Sequence, residues 1–345
     1  MPQTPREIVR RCLTFQKPER MPRDLWLLPW AVDRFPEPVA TLQTRFPCDF
    51  TNPPDVYQSS PRVRGDMYQE GTYIDEWGSI FYNIQSGAIG EVKTPAIDNL
   101  KLIDKYTPPY EILPEDWDDA QRVVNQYCSQ TDLFVMGNAC PRPWERLQFL
   151  RGTDNAMMDI LHPEEGVADL IQLIHCFYKK ELEFWATTNV DSLRFMDDWG
   201  GQSRLLISPR LWRKIFKPLY YEYCEIAHRH GKFIFMHSDG FIADIYDDLI
   251  EIGVDAINSQ LSLMNLEDLS KRAKGKITFH GEIDRQFVLP ASNPQVGREA
   301  VRKIAKYLYD PSGGIIAQFE FGLAANPAIA IAIFEEWEAV QMDWQ

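Results

Sequence analysis

Short apolar runs that end in polar residues recur along the C-terminal two thirds of the chain, and each is followed by a stretch with helical periodicity. This alternation is typical of strand–helix–strand units, because parallel strands need a crossover connection that a helix supplies. An earlier run, Asp24–Pro29, predicts a first strand. The later strands are predicted at Leu133–Asn138, Ser192–Asp197, Lys232–His237, Asp255–Asn258, Lys276–His280 and Gly314–Glu320.

The segments between the late strands carry helix start and stop signals. Ser208-Pro209 supplies an N-cap followed by a proline in the first turn, and Gly231 can take the left-handed position after the helix ends. Pro218 is expected to kink this helix, because proline removes a backbone donor. A second amphipathic helix is predicted from about Pro163 to Thr188.

The number of strands decides between an open doubly wound sheet and a closed barrel, since both consist of the same repeating units. Six late strands and one or two early ones favour eight strands and closure. The dinucleotide-binding signature GxGxxG is missing, because Gly200-Gly201 and Gly313-Gly314 lack a third glycine. We therefore predict an α/β fold, a single (β/α)8 TIM barrel over residues 1–345, with an N-terminal helix in residues 1–20 and the barrel in 21–345.

The first third of the chain is less regular. Aromatic residues and glycines between Tyr73 and Gly90 indicate either a hairpin or a loop over the barrel mouth. Three proline-rich stretches are predicted to be ordered loops: Phe35–Pro38, Thr51–Pro61 and Pro108–Leu113. No change in composition separates two domains.

Composition and charge narrow the class of protein. With 45% hydrophobic and 25% charged residues, the chain has the composition of a folded protein. The net charge of −14 and the lack of a Lys/Arg cluster argue against nucleic acid as a partner. The N-terminus lacks the apolar core of a signal peptide, and no apolar run approaches the ~20 residues of a membrane span. Six cysteines without paired spacing suit reduced thiols, so we expect a cytoplasmic protein with no membrane contact.

Polar residues follow the predicted strands at their carboxyl ends, where the active sites of (β/α)8 barrels lie. For any one of them a turn or cap is an equally good explanation, but as a set they mark the functional face. The candidates for catalysis are Asp197, Asp198, Glu282 and Asp284. The candidates for substrate binding are Asn138, Trp199, Asn258, Gln260, His280 and Gln318.

The sharpest local signal is His237-Ser-Asp-Gly240. Alternate residues at a strand end can meet a single atom, so His237 and Asp239 form a platform for a divalent metal, which Glu320 at the end of the last strand completes. Zn²⁺ suits these ligands, with Mn²⁺ or Fe²⁺ as alternatives. A hydrogen-bonded His–Asp pair that fixes the loop without a metal explains the motif equally well.

Asp197 and Asp198 are adjacent carboxylates at the end of another strand. Neighbouring residues there diverge, so we expect one to face the cavity as a general base or hydrogen-bond acceptor and the other to cap the loop. We assign Asp198 to the cavity, and Trp199 with the following glycine pair lets the backbone turn over it.

Several motifs occur in order over nearly the whole chain. They are Leu13-Thr-Phe-Gln-Lys-Pro-Glu-Arg20, Asp75-Glu-Trp-Gly78, Asp197-Asp-Trp-Gly-Gly-Gln202, Leu206-Ile-Ser-Pro-Arg-Leu-Trp212, Lys217-Pro218, Ala227-His228, His237-Ser-Asp-Gly240, Leu249-Ile-Glu-Ile-Gly-Val-Asp255, Phe279-His-Gly-Glu-Ile-Asp284 and Gln286. Together they resemble the uroporphyrinogen decarboxylase-like superfamily. The resemblance implies a (β/α)8 barrel, in agreement with the strand count.

That superfamily contains cofactor-free decarboxylases of uroporphyrinogen III and zinc-dependent methyltransferases that exchange methyl groups with a corrinoid protein or coenzyme M. True decarboxylases carry an early Met-Arg-Gln-Ala-Gly-Arg segment and a late Gly-His-Gly loop. Here the early region reads Arg23-Asp-Leu-Trp-Leu-Leu-Pro29, and the late loop reads Phe319-Glu-Phe-Gly322. Both departures count against decarboxylation, because eight substrate carboxylates need guanidinium groups to hold them.

The methyltransferase branch binds zinc through a His-x-Cys pair and a distant Cys. By resemblance these positions correspond to His237, Asp239 and Glu320, and their oxygen ligands suit an ether or alcohol oxygen better than a thiol. We therefore expect a metal-dependent methyltransferase or demethylase that moves a methyl group between a small O- or N-methylated substrate and a corrinoid protein, which supplies the corrinoid. The alternatives are a cofactor-independent carboxy-lyase and a barrel that only binds a small ligand; a homodimer is left open.

Overall fold

Parallel strands curve around the centre of the computed structural model, which describes residues 2–163 and 165–343. The strands in chain order are β1 (Arg23–Leu27), β2 (Phe50–Thr51), β3 (Gly71–Ile74), β4 (Ile80–Asn83), β5 (Glu91–Thr94), β6 (Phe134–Val135), β7 (Ser192–Met196), β8 (Phe233–Ser238), β9 (Ala256–Ser259), β10 (Thr278–His280) and β11 (Ile315–Phe321). One six-stranded sheet has the order β1-β11-β10-β9-β8-β7, and β2 pairs with β6 in a second parallel sheet.

Two joins close the ring between these sheets. The amide of Asp49, next to β2, donates a hydrogen bond to the carbonyl of Arg23 in β1 over 2.9 Å. At the other join, the amide of Gly137 donates to the carbonyl of Ser192 over 2.9 Å, which connects β6 to β7. The parallel strands therefore follow one another around a (β/α)8 barrel, with shorter links on either side of the β2–β6 pair.

Helices surround the strands, and several begin with the expected capping residues. Ser208 and Asn293 each accept a backbone amide of the helix that they precede, and a proline follows in the first turn. The helices are α1 (Pro5–Leu13), α2 (Pro29–Arg34), α3 (Pro36–Arg45), α4 (Trp117–Ser129), α5 (Pro143–Arg151), α6 (Thr153–Leu161), α7 (Val167–Ala186), α8 (Pro209–Ile215), α9 (Lys217–Arg229), α10 (Tyr246–Glu251), α11 (Leu266–Ala273), α12 (Pro294–Leu308) and α13 (Pro327–Asp343). None of the helices in the described chain is long and apolar enough to cross a membrane.

The six predicted late strands and the predicted first strand are confirmed, each within a few residues of its expected bounds. The helix expected from Pro209 to His230 is instead two helices that meet at Phe216, because Pro218 cannot donate the backbone bond that would continue the first one. The loop predicted at Phe35–Pro38 is wrong, since α3 begins at Pro36, where proline is favoured.

The two ends of the barrel differ. Helix α1 covers the N-terminal ends of the strands, where the carbonyl of Cys12 accepts the amide of Gly314 over 3.0 Å, and Val9 packs with Phe134 in the barrel interior. At the opposite end, the region predicted as a hairpin or loop is an antiparallel sheet of β3, β4 and β5, which lies beside the loop that follows β6. The barrel is therefore open only at the carboxyl ends of its strands.

Candidate active site

A cavity of about 780 Å³ lies inside the barrel at the carboxyl ends of the strands. Its walls are aromatic: the ring of Trp26 lies 5.5 Å from that of His237 and 5.8 Å from that of His280, and Phe50 stacks on His280 at 5.7 Å. Phe235 also contributes to the lining. Both histidines are thus held against apolar surfaces at the functional end of the barrel.

The orientation of His237 is determined by Asn258. The amide nitrogen of Asn258 donates to the carbonyl of His280 (2.5 Å) and to Oε1 of Gln318 (2.8 Å), so its Oδ1 is an acceptor. Nδ1 of His237 lies 2.6 Å from this oxygen and therefore carries a proton. Nε2 of His237 is left facing the opposite direction, toward two carboxylates. The buried Asn258 and Gln318, predicted as substrate ligands, thus position His237.

Asp198, His237 and Asp239 form a compact group. Nε2 of His237 lies 3.5 Å from Oδ1 of Asp198 and 3.6 Å from Oδ1 of Asp239, and the ligand atoms of the group lie within 4.8 Å of one another. Oδ1 of Asp239 is buried and has no hydrogen-bond partner among the described residues. Burial opposes the charged imidazole, but the charges of Asp239 and Asp198 outweigh it and raise the pKa of His237. One imidazole and two carboxylates suit a divalent cation.

Close backbone packing brings the two carboxylates of this group together. The loops after β7 and β8 meet at Gly200 and Gly240, and a Cβ added at Gly240 would lie 1.9 Å from the carbonyl oxygen of Gly200. Gly240 also has a φ of 80°, in the left-handed region that favours glycine. The amide of Asp239 then donates to Oδ1 of Asp198 over 2.8 Å. Only glycine at both positions allows this approach.

Arg285, which no sequence pattern singled out, pairs with three acids beside this group. Its guanidinium pairs with Asp239, with Oε1 of Glu282 at 2.8 Å and with Oε1 of Glu320 at 3.3 Å. Glu320, predicted as the third metal ligand, therefore forms an ion pair with Arg285 instead. Asp198 takes its place beside His237 and Asp239. Burial raises the pKa of Glu282 to about 7, against the opposing charge of Arg285.

His280 belongs to a second polar pair on the same cavity. Its Nε2 lies 2.8 Å from Oδ2 of Asp24, which also accepts the indole N–H of Trp26 over 2.9 Å. Burial tends to raise the pKa of Asp24, but the hydrogen bonds from His280 and its neighbours lower it below its usual range. The sequence predicted Asp24 only as the start of a strand. Its inward-facing position on β1 could have identified it as a cavity residue.

Two predicted functional residues lie in the core instead. Both oxygens of Asp197 accept amides of α5, from Trp144 (2.9 Å) and Glu145 (2.8 Å), and the hydroxyl of Tyr220 donates to it over 2.6 Å. Burial and the charge of Glu145 raise its pKa well above the usual range. The ring of Trp199 is fully buried and stacks on Trp144 at 5.2 Å. Asp197 thus caps a helix, and the expectation that Trp199 contacts substrate is corrected.

The remaining candidates border neighbouring cavities. Oδ1 of Asp284 accepts the amides of Gln286 and Phe287 and so stabilises a turn. Asp284 and Gln260 line a second cavity of about 500 Å³. Asn138 lines a third, of about 640 Å³, and its amide donates to the carbonyl of Pro53 over 3.2 Å. Asp239 lines the second cavity as well, and Gln260 accepts the amide of Gly240 over 3.1 Å, so Gln260 and Asp284 border the His237 group, whereas Asn138 lies in the third cavity.

Three further charged residues near the site had no distinguishing sequence pattern. Arg142, after β6, and Arg194, on β7, line the cavity of 780 Å³. Glu145 lies close enough to Asp198 and His237 for their charges to act on it, and burial raises its pKa despite the opposing charge of Arg142. Single charged residues in loops and strands are common, so only the fold reveals their proximity.

Comparison with known proteins identifies a shared fold and a family sequence profile. A methyltransferase from Methanosarcina mazei superposes with a TM-score of 0.70 at 10% identity, over 98% of this chain and 99% of that one. A 3-keto-D-glucoside 4-epimerase from E. coli gives 0.37 at 15% identity, over 66% and 86% of the two chains. No curated protein sequence matches the chain. The sequence profile described as Uroporphyrinogen decarboxylase (URO-D) matches residues 81–331, and the chain therefore belongs to the uroporphyrinogen decarboxylase family.

Proposed function

We propose that this chain is a metal-dependent methyltransferase or demethylase that moves a methyl group between a small O- or N-methylated substrate and a corrinoid protein. The observation that carries the proposal is the convergence of Nε2 of His237 with carboxylate oxygens of Asp198 and Asp239, one of which is buried without a partner. Family membership and the fold shared with a methyltransferase support it.

The three side chains fit a divalent cation, Zn²⁺ in the first place. His237 donates its Nδ1 proton to Asn258, an arrangement that metal-binding histidines use to present the other nitrogen. Three protein ligands leave a position open for substrate. Such a cation, when bound, supplies a Lewis acid that polarises the heteroatom carrying the methyl group.

The other residues of the site would orient the substrate and handle protons. Trp26 and Phe50 provide apolar walls that exclude water from the methyl group. Glu282, with a pKa of about 7, can hold or release a proton near neutral pH, and Arg285 couples it to Asp239. A proton donor is needed when the demethylated heteroatom leaves as an alcohol or amine.

The second candidate function is a metal-free carboxy-lyase, and the raised pKa of Glu282 is the observation in its favour. Decarboxylation needs a proton donor, which a neutral carboxyl group supplies. Arg23 is the sole arginine of the early segment 23–29, and it pairs with Glu338 over 2.6 Å on the outside of the barrel. This segment therefore offers no free guanidinium, and two arginines in the cavity, Arg142 and Arg194, are too few for eight substrate carboxylates, so we rank the lyase second.

Methyl transfer can be tested directly. We expect the purified chain to exchange methyl groups between a methylated corrinoid protein and O- or N-methylated compounds, followed by the absorbance change of the corrinoid. Asp239→Asn should abolish transfer, whereas Asp33→Asn, at an exposed position, should not. The chain should form no coproporphyrinogen from uroporphyrinogen. Decarboxylation at ordinary enzyme rates would reverse the ranking of the two functions.

A further inference from the structure

The lining of the 780 Å³ cavity is more basic than the chain as a whole. The chain has a net charge of −14, yet among the described residues that line the cavity there are two guanidinium groups, Arg142 and Arg194, and one carboxylate, Asp24. Asp24 already bonds His280 over 2.8 Å. The arginines therefore give this part of the cavity a net positive charge.

Neither guanidinium is paired closely with an anion of the described chain, although the charge of the nearby Glu145 acts on Arg142. Within the described parts of the chain, the side chains of Arg142 and Arg194 make no ion pair or hydrogen bond, and Nε of Arg194 is buried. Unpaired buried donors are rare in folded proteins, because each costs the free energy of its lost hydration. Nε of Arg194 is such a donor, and Arg142 adds a second positive charge to the same cavity, which favours an anion as the ligand.

Both arginines lie within reach of the His237 group. Met196 pairs in register with His237, so Arg194, two residues earlier on β7, lies about 7 Å deeper in the barrel at ~3.3 Å per residue. The carbonyl of Pro141 accepts the amide of Met196 over 2.8 Å, which places the next residue, Arg142, near the level of His237. One small molecule can span this distance.

We propose that Arg142 and Arg194 form a subsite for a carboxylate of the methylated substrate. A monoanion is favoured over a phosphate dianion, because Asp198 and Asp239 at the rim would repel a second negative charge. The aromatic walls accept an apolar body between the two ends of such a molecule. That the bound carboxylate is a methyl donor rests on the proposed function, whereas the binding of a carboxylate does not.

Two compounds of the same shape test the subsite. Isothermal titration calorimetry of the full chain at pH 7.5 compares 4-methoxybenzoate with 4-methoxybenzamide, which lacks the charge. We expect the acid to bind at least ~10-fold more tightly, the effect of a charge-assisted contact. Arg142→Gln and Arg194→Gln should each reduce that preference at least ~5-fold, and Arg194→Lys should retain part of it. Arg229→Gln, an exposed arginine on α9, is the matched control and should leave it unchanged.

The outcomes separate the subsite from the proposed function. Equal affinity for the two compounds, including no measurable binding of either, overturns the subsite. A preference that survives in the Arg142→Gln/Arg194→Gln double variant overturns it as well. If Arg194→Gln does not fold, as its melting temperature will show, Arg142→Gln and Arg194→Lys carry the test. Loss of methyl transfer with an intact charge preference counts against the proposed function alone.

Discussion

Asp197 and Asp198 are adjacent in sequence but have opposite surroundings. Asp197 is fully buried and bonds two amides of α5 and the hydroxyl of Tyr220, whereas Asp198 is partly exposed and faces His237. A carboxylate that satisfies buried donors supports stability, and one that faces a cavity is available for chemistry. The pair therefore offers a matched comparison between two roles of the same residue type.

Substitution of each aspartate should affect a different property. Asp198→Asn keeps an oxygen that can accept the amide of Asp239 but removes the charge, so turnover should fall at least ~100-fold with little change in melting temperature. Asp197→Ala leaves two amides and a hydroxyl unpaired and should cost about 1–3 kcal/mol of stability. Methyl-transfer rates and urea denaturation measure the two effects. Normal turnover in Asp198→Asn would retire its catalytic assignment.

Residue types at strand ends predicted His237 and Asp239 as site residues. The residues that were missed or misassigned show the limit of such patterns. His237 and Asp239 were identified because two ligand types stand two positions apart at a strand end. Arg285 was not identified, because a single arginine in the loop after β10 forms no recognisable motif. Its role depends on three acids from different parts of the chain that contact it in the folded structure. Trp199 was misassigned because an aromatic residue beside a glycine pair suits a cavity wall and a core equally well.

At the scale of elements, the loops after β7 and β8 form the site together. Their contact through Gly200 and Gly240 is backbone against backbone, so the spacing of Asp198 and Asp239 depends on the absence of side chains there. Both glycines are visible in the sequence, but their contact in the folded chain is not predictable from it. A close approach of two loops cannot be deduced from either loop alone.

Gly240→Ala should separate the two loops. The added methyl group would collide with Gly200, and alanine is disfavoured at a φ of 80°, so we expect at least ~10-fold weaker Zn²⁺ binding together with lost stability. Gly231→Ala is the control: its φ is 67°, but no atom lies within 4 Å of the new Cβ. Gly231→Ala should lower the free energy of unfolding by about 1 kcal/mol and leave the Zn²⁺ affinity unchanged. Equal Zn²⁺ affinity in both variants would contradict the account of the loops.

Helix α7 provides a test of pH dependence away from the His237 group. Burial raises the pKa of Glu181 from 4.5 to about 7, although the hydroxyl of Tyr57 donates to it over 2.8 Å. The folded chain then binds more protons than the unfolded chain between these values, so the free energy of unfolding should fall as pH rises from about 4.5 to 7. Above pH 7 this contribution should be constant.

Glu181→Gln should remove that part of the pH profile. Urea denaturation at pH 5 and pH 8 measures it, and the wild type should lose more stability between the two values than the variant. Glu183→Gln, at an exposed position of the same helix, should behave like the wild type. Identical profiles for the wild type and Glu181→Gln would show that the carboxyl group is not buried in this way.

The strands were predicted well where an apolar run is long and followed by a helix. All six late strands are of this kind, and the barrel follows from counting them. β2, Phe50–Thr51, was missed because it lies in no apolar run and a proline-rich stretch rather than a helical pattern follows it. The third strand of the β3–β5 sheet, Glu91–Thr94, was missed because it is mostly polar and exposed.

At the scale of the whole molecule, charge is partitioned across one cavity. Asp198 and Asp239 lie beside His237 at its mouth, Arg142 lies near the level of His237, Arg194 lies deeper in the barrel, and α1 covers the opposite end. The proposed cation site and the proposed carboxylate subsite would thus be separate within a chain whose net charge is −14. A methylated carboxylate would contact both.

The central claim is that Asp198, His237 and Asp239 hold one divalent cation, and metal content tests it most directly. Elemental analysis of protein purified without chelator, or dialysed against Zn²⁺, should find about one divalent ion per chain. His237→Ala and Asp239→Asn should lose it, and Glu320→Gln should retain most of it, because Glu320 lies on Arg285. A wild-type chain that stays metal-free after exposure to Zn²⁺ contradicts the account, as does a chain that loses its metal only when Glu320 is changed.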